Sequence, residues 1–524
     1  MYKSVFKNQQ ILLSFVFLAG CLSCTPKKLT ELTKASLIPI PVSIEATGDI
    51  FELGSTTVIH TSSETKKPGA YLADLVAPAT GFDLQVVNIN SNPQSGIYLN
   101  LITNTQLGEE GYELNITPDL VTLSAQTPTG IFRGIQTLRQ LLPASIESSA
   151  QQDISWEIAT GKIVDYPEYE YRGSMLDVAR HFFSVEDVKR YIDLIAAYKM
   201  NTLHLHLTDD QGWRIEIKSW PNLTEHGSKT AVGGGAGGFY TQEEFKEIVS
   251  YAADRFILII PEIDVPSHTN AALASYPELN CNNEKPDLYT GIEVGFCTVC
   301  TDKEVTYQFV DDVVRELAAI TPGPYIHLGG DESHVTPMED YINFFNRVQK
   351  IVQANGKQMI GWEEIGHVKL DSTTIVQYWN TREPSIETSI SQGNKIILSP
   401  ADRSYLDMQY DSTTHLGLHW AAYVEVDQSY NWNPEELVTG LSKNQILGVE
   451  APLWSETITT MNEIEYLMFP RVMGIAEIGW SSPSRRKWES YKVRLGQQAT
   501  RLKAMEIDYY ESKLVPWGDN KKTN

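Results

Sequence analysis

Two adjacent carboxylates, Asp331 and Glu332, follow two glycines, Gly329 and Gly330, and the apolar run Tyr325-Ile326-His327-Leu328. That order places a pair of proton-handling groups where a buried strand opens into a loop. On an ideal strand neighbouring side chains point to opposite faces, so two carboxylates reach one ligand only where the backbone is already leaving the sheet. The glycines permit that departure and leave space for a ligand to approach the backbone. An Asp-Glu pair after glycines is more often a solvated turn, so its meaning depends on what other elements bring to the same place.

Eight short apolar runs supply those elements: 171–178, 202–208, 256–264, 325–331, 358–363, 374–379, 395–399 and 446–454. Helical segments separate the early ones. Ser184 caps a run apolar at Val185, Val188, Ile192 and Ile195, and Thr241-Gln242-Glu243-Glu244 is a capping box that opens another helix. Eight strand-helix units predict an α/β fold, a (β/α)8 TIM barrel, whose active site lies at the C-terminal ends of the strands. The run ends then become informative. In order they give Asp177 and Arg180; Asp209 and Asp210; Glu262, Asp264 and His268; Asp331 and Glu332; Trp362; Trp379; Tyr405 and Asp407; Trp454 and Glu456. A single Trp is usually core and a single Asp usually a cap, but polar or aromatic residues at all eight strand ends are hard to explain as packing.

The segment before the barrel, 38–163, alternates β-rich runs with polar turns and has one helical pattern, from 129 to 142, which predicts a small α+β domain. The barrel domain is placed at 164–510 and a C-terminal tail at 511–524. At the N-terminus, Lys3 and Lys7 precede a short apolar stretch and the sequence Leu18-Ala19-Gly20-Cys21. This resembles a bacterial lipoprotein signal over 1–20, with Cys21 as the lipidated residue and 21–37 as a polar tether. The stretch is shorter than the ~20 residues that span a bilayer. The expected location is therefore the bacterial envelope, with membrane contact through the lipid alone.

Composition narrows the partners. The chain has 524 residues, 42% of them hydrophobic, and a formal net charge of −24, which excludes a polyanion binder and leaves nucleic acid out. Of five cysteines, Cys21 and Cys24 belong to the signal and tether. In an oxidising compartment a bridge from Cys281 to Cys300 would close a loop of about 20 residues, worth roughly 3 kcal/mol in the chain-entropy model, and leave Cys297 odd. Cys297 and Cys300 have CxxC spacing but no second pair to complete four ligands, so no metal site is expected. No cofactor is implied either.

Aromatic walls among carboxylates suit a sugar, because Trp faces cover the apolar side of a pyranose while Asp, Glu and Arg bond its hydroxyls. A carboxylate pair points to glycoside cleavage, which needs an acid for the leaving oxygen and stabilisation of an oxocarbenium-like centre. Adjacent residues cannot easily flank the scissile bond, so one of the two has another task.

Six ordered motifs carry a resemblance: Asp177-Val178-Ala179-Arg180-His181-Phe182, His204-Leu205-His206-Leu207-Thr208-Asp209-Asp210-Gln211, Pro261-Glu262-Ile263-Asp264-Val265-Pro266-Ser267-His268, Gly329-Gly330-Asp331-Glu332, Tyr405-Leu406-Asp407 and Leu453-Trp454-Ser455-Glu456. The chain resembles family 20 glycoside hydrolases, the β-N-acetylhexosaminidases, over essentially its whole mature length. The resemblance implies a retaining exo-enzyme that releases terminal GlcNAc or GalNAc from glycans or chitooligosaccharides through an oxazolinium formed by the substrate's own acetamido group. Glu332 would be the general acid and later the base, and Asp331 would hold the acetamido N–H. Tyr405 would bond the acetamido oxygen, while Trp362, Trp379 and Trp454 wall the sugar. Arg180 would bind O3 and O4, and Asp407 with Glu456 the O4 and O6 edge. His268, Asp264 and Asp209 match a supporting network around the acid. In relatives the loop matching 281–300 is pinned by a disulfide. Two alternatives stay open from the sequence: a disaccharide-releasing enzyme of the lacto-N-biosidase kind, and a catalytically silent glycan-binding lipoprotein.

Overall fold

Eight parallel strands close into a barrel in the computed structural model, each beside the next in chain order and the last beside the first; the structure describes residues 31–89, 91–382 and 385–518 together with Met1. The lipoprotein signal and Cys21 lie outside the described residues. Seven strands precede the barrel: β1 (Ser43–Leu53), β2 (Ile59–Thr61), β3 (Val86–Asn88), β4 (Gly96–Leu101), β5 (Tyr112–Ile116), β6 (Leu120–Ala125) and β7 (Trp156–Asp165). They form one mixed sheet in the order β1-β7-β5-β6-β4-β2-β3. Helices α1 (Lys66–Thr80) and α2 (Pro128–Leu141) pack on it. Helix α2 starts where Thr127 accepts the Gly130 N–H and Pro128 occupies the first turn, a position that needs no N–H.

The barrel strands are β8 (Tyr171–Asp177), β9 (Thr202–His206), β12 (Leu258–Glu262), β13 (Tyr325–His327), β14 (Gln358–Trp362), β15 (Ile375–Tyr378), β16 (Lys395–Leu398) and β17 (Ile446–Leu453); a small hairpin of β10 (Thr208–Asp209) and β11 (Gly212–Trp213) follows β9. Each of the eight coincides with one of the apolar runs. Every residue of β8, β9 and β17 is buried, as expected where helices cover a parallel barrel and side chains fill its interior. Capping boxes start α3 (Val185–Ala197) at Ser184 and Asp187, and α4 (Gln242–Ala253) at Thr241 and Glu244.

The fourth run is shorter as a strand than the sequence indicates, because β13 ends at His327. Gly329 and Gly330 have φ of 59° and 101°, and a Cβ on Gly329 would stand 1.8 Å from Asp264 Oδ1. Only glycine takes that turn at that distance.

Two domain limits move. The segment 21–37 is not tether to its end, since Leu32 and Leu37 are buried in the core of the small domain. Its polar composition hid two apolar anchors. At the other end Ser512 and Val515 are buried, so the first residues of the expected tail belong to the folded body. The domains are locked together by Trp480, which joins the small-domain core and donates its indole N–H to Asp165, and by Glu110, which pairs with buried Arg133 and Arg172. Those pairs hold Glu110 down to about 2 against the effect of burial.

Candidate active site

The C-terminal mouth of the barrel holds a cavity of about 190 Å³. Arg180, Asp331, Glu332 and Glu456 supply its charges, Trp379, Tyr405, Trp420 and Trp454 its aromatic walls, and Ile292, Val294 and Leu418 its apolar rim. A larger cleft of about 620 Å³ lies between the small domain and the barrel. Its cationic side chains are already matched, Lys67 with Asp254, Arg139 with Glu147, Arg190 with Glu465 and Arg255 with Asp193, whereas charged and aromatic groups converge on the smaller cavity.

Asp331 and Glu332 both reach this cavity because the chain turns sharply there. Glu332 has φ of 48°, a left-handed conformation that costs energy in a residue with a Cβ and is retained mainly at functional sites. Its carboxylate lies 3.4 Å from His268 Nε2. Asp331 is 8% exposed, and its Oδ1 is buried with no hydrogen-bond partner among the described residues. Burial pushes Asp331 up to about 6; Glu332 adds to the rise and His268 opposes it. Beneath it, Asp264 accepts the Gly330 N–H at 3.1 Å and is held well above the usual carboxylate range by burial and by Asp331. The two carboxyls therefore compete for ionisation and titrate as a pair.

His268 links the acid to the sugar-binding side. Its Nδ1 is 3.3 Å from Asp209, which also pairs with Arg180 Nη2 at 2.7 Å. Burial disfavours the imidazolium, but Asp209, Asp264 and Asp331 outweigh it and hold His268 well above its ordinary value. Arg180 also lies over the Trp454 ring, 4.9 Å from its centroid, and the Asp177 carboxylate accepts the N–H groups of Ala179, Arg180 and Ser455. One aspartate thereby fixes two strand-end loops relative to each other.

The other expected residues divide into those on the wall and those behind it. Trp379 and Trp454 line the cavity, whereas Trp362 is 1% exposed and lies a layer deeper, its ring 5.9 Å from that of Trp454. Asp407 is also recessed, accepting the Trp454 N–H, with its Oδ2 unpartnered among the described residues. Burial and Glu456 push Asp407 well up, and burial raises Glu456 as well. A disulfide joins Cys281 and Cys300, with Cα atoms 4.8 Å apart, and the loop it closes brings Ile292 and Val294 to the rim. The free thiol of Cys297 donates to Asp210 at 3.0 Å.

Sequence reasoning missed Trp420, Leu418, Ile292, Val294 and Glu364. Glu364 accepts the indole N–H of Trp379 at 3.1 Å and is pushed up to about 8 by burial and by Asp331. Its place two residues after Trp362, just past the end of the fifth run, was the available signal. The rim residues sit in long loops whose sequence has no periodicity to place them.

Residues 169–483 match the sequence profile of the glycosyl hydrolase family 20 catalytic domain. The chain belongs to that family. Residues 34–166 match the family's domain 2. A β-N-acetylhexosaminidase of Cellulomonas fimi is 39% identical over 487 residues, covering 92% of this chain and 97% of that one. The solved family 20 β-N-acetylhexosaminidase of Streptomyces coelicolor superposes with a TM-score of 0.90 at 49% identity, covering 93% of this chain and 99% of that one. A Streptomyces plicatus β-hexosaminidase variant, solved with its product GlcNAc, gives the same TM-score and identity over 93% and 98%. This family 20 member is accordingly a glycoside hydrolase, a β-N-acetylhexosaminidase.

Proposed function

We propose that the enzyme releases single terminal GlcNAc or GalNAc residues, with retention, by substrate-assisted catalysis. The observation that carries this reading is the adjacency of Asp331 and Glu332 in a cavity whose remaining carboxylate, Glu456, is coupled to Arg180 and Asp177 rather than to the pair. Without an enzymic nucleophile across the ring, the substrate's acetamido oxygen attacks the anomeric carbon. Glu332 gives its proton to the leaving oxygen as the glycosidic bond breaks, and Asp331 accepts the acetamido N–H while positive charge builds on the oxazolinium. Glu332, now a carboxylate, then takes a proton from the water that opens the ring on the same face. Tyr405 steadies the acetamido oxygen. The cavity is smaller than the roughly 300–1,000 Å³ of sites for drug-sized ligands, which supports release of one sugar rather than two. A thiazoline mimic of the cyclised intermediate should compete with substrate and bind far more tightly than GlcNAc. Equal binding of the two in a competition assay would count against the mechanism.

Asp407 and Glu456 are assigned to the O4 and O6 edge. Burial already pushes both carboxyls up, and Glu456 adds to the rise at Asp407, so an anionic group at O6 would enter a poorly screened pocket that disfavours further negative charge. A 6-sulfated N-acetylglucosaminide should show kcat/KM about tenfold or more below the neutral sugar. Equal turnover would reject this placement.

We also propose anchoring of the protein in the bacterial envelope through Cys21, supported by the charged, apolar and small-residue order of 3–21. An alkyne fatty acid fed to expressing cells should label the protein, and Cys21→Ser should abolish the label.

A further inference from the structure

We propose that Glu262 is a positioning residue for this site: its buried carboxylate orients His206 and Trp362, which in turn seat Arg180 and Asp209 on one side of the sugar and the Trp454 wall on the other. This role depends on the cavity being the sugar site, and it concerns a residue that does not line the cavity.

Glu262 ends β12 on the barrel axis and is fully buried. No lysine or arginine pairs with it among the described residues. Instead, groups from three other barrel strands converge on it. His206 Nδ1 lies 2.5 Å away and His204 Nε2 3.0 Å, both from β9; His327 Nδ1 of β13 lies at 2.9 Å, and Trp362 Nε1 of β14 donates at 2.8 Å. A buried carboxylate without compensation is costly, so its ionised form calls for a positive partner among these rings.

His206 has the geometry to be that partner. Its Nδ1 faces Glu262 and its Nε2 faces Asp209 at 3.1 Å. A neutral imidazole has one N–H, so one of the two carboxylates would face a lone pair, whereas the imidazolium satisfies both. The groups around it are Asp177 at the end of β8, Arg180 beyond it, His204 on β9, Asp209 on β10, Glu262 on β12, and the Trp454 ring, edge-on at 4.9 Å. Arg180 Nη1, 3.4 Å from Nε2, opposes the charge but is itself held by Asp209 and Asp177. Burial works against the imidazolium, yet Glu262, Asp209 and Asp177 raise it to about 10. His204 is bracketed in the same way by Glu262 and Glu450, and Glu450 accepts from Gln377 and Tyr171 below. The alternating charges thus run from the barrel interior up to Arg180.

Glu262→Gln tests the assignment in the full-length enzyme. Glutamine keeps the shape and can still accept from Trp362, but it lacks the charge that sustains the imidazolium. Against nitrophenyl N-acetylglucosaminide, kcat/KM should fall about 10²-fold, the scale of a misplaced binding group, with KM rising because Arg180 loses its seat. The pH profile should also gain an alkaline limb below about 10, since a His206 value lowered from about 10 is lost as pH rises through the new one. Trp362→Phe, which removes only the indole N–H and trims the ring, should reduce kcat/KM without adding that limb. Ring nitrogen NMR of the wild-type enzyme should show His206 protonated at both nitrogens at pH 8, and this measurement decides the matter if the Gln variant does not fold. A neutral His206, or a folded Gln variant with the wild-type pH profile, overturns the proposal. An inactive wild type would instead sink the assigned reaction while leaving the ring spectrum to be read.

Discussion

Replacing Glu332 with Gln should lower kcat/KM for a natural N-acetylglucosaminide by about 10²- to 10⁴-fold, the range attributed to a positioned general acid, and should do much less to a nitrophenyl glycoside. A sugar alkoxide leaves only if protonated as the bond breaks, whereas a nitrophenolate leaves without help. The turn that gives Glu332 its positive φ brings the carboxyl to the cavity beside His268, with 27% of its side chain exposed, as a group that must meet both a leaving oxygen and an incoming water requires. Gln preserves size and leaves the Asp331 position intact, so binding should change little. Steady-state assays over a series of phenols of graded acidity check this: the variant's rates should depend far more steeply on leaving-group acidity than those of the wild type. A flat, uniform loss across the series would mean that Glu332 does not donate the proton.

The barrel and the acid pair were legible because their signals are local. Parallel strands buried on both faces read as apolar runs, and the eight barrel strands were visible as such. Strand ends are the places where a barrel exposes chemistry, so Asp177, Asp209, Asp331 and Trp454 followed from counting to the end of each run. Glu262 lies at such an end too, but its function arises from four side chains on three other strands, separated by up to 100 residues, and no spacing rule encodes that convergence. Trp420, Ile292 and Val294 reach the rim on loops whose course is set by tertiary contacts and by the Cys281–Cys300 bridge. Composition misled at Leu32 and Leu37, where two apolar residues in a polar stretch were enough to dock the segment.

Asp331→Asn should impair a different step and leave a different signature. An asparagine whose amide N–H₂ met the acetamido N–H would oppose donor to donor, and even in its better orientation it lacks the negative charge that offsets the developing oxazolinium. Loss of one preorganised electrostatic contact of this kind costs roughly 10²- to 10³-fold, and it should appear even with a nitrophenol leaving group, where Glu332→Gln is mild. The pH profile supplies an independent mark. Asp331 must be ionised to accept the N–H, and burial with Glu332 raises it to about 6, so wild-type kcat/KM should fall as pH drops through about 6. Asp264 lies close enough to share that proton, and the limb therefore belongs to the pair. In Asp331→Asn the limb should vanish along with most of the rate. The same logic fixes substrate choice. A plain β-glucoside carries no acetamido group, gives Asp331 nothing to hold, and should be cleaved at a rate near that of the crippled variant. If glucosides were cleaved as fast as N-acetylglucosaminides, or if a sugar could be trapped covalently on an enzyme carboxylate, the nucleophile would belong to the protein, and the division of labour between Asp331 and Glu332 would have to be abandoned.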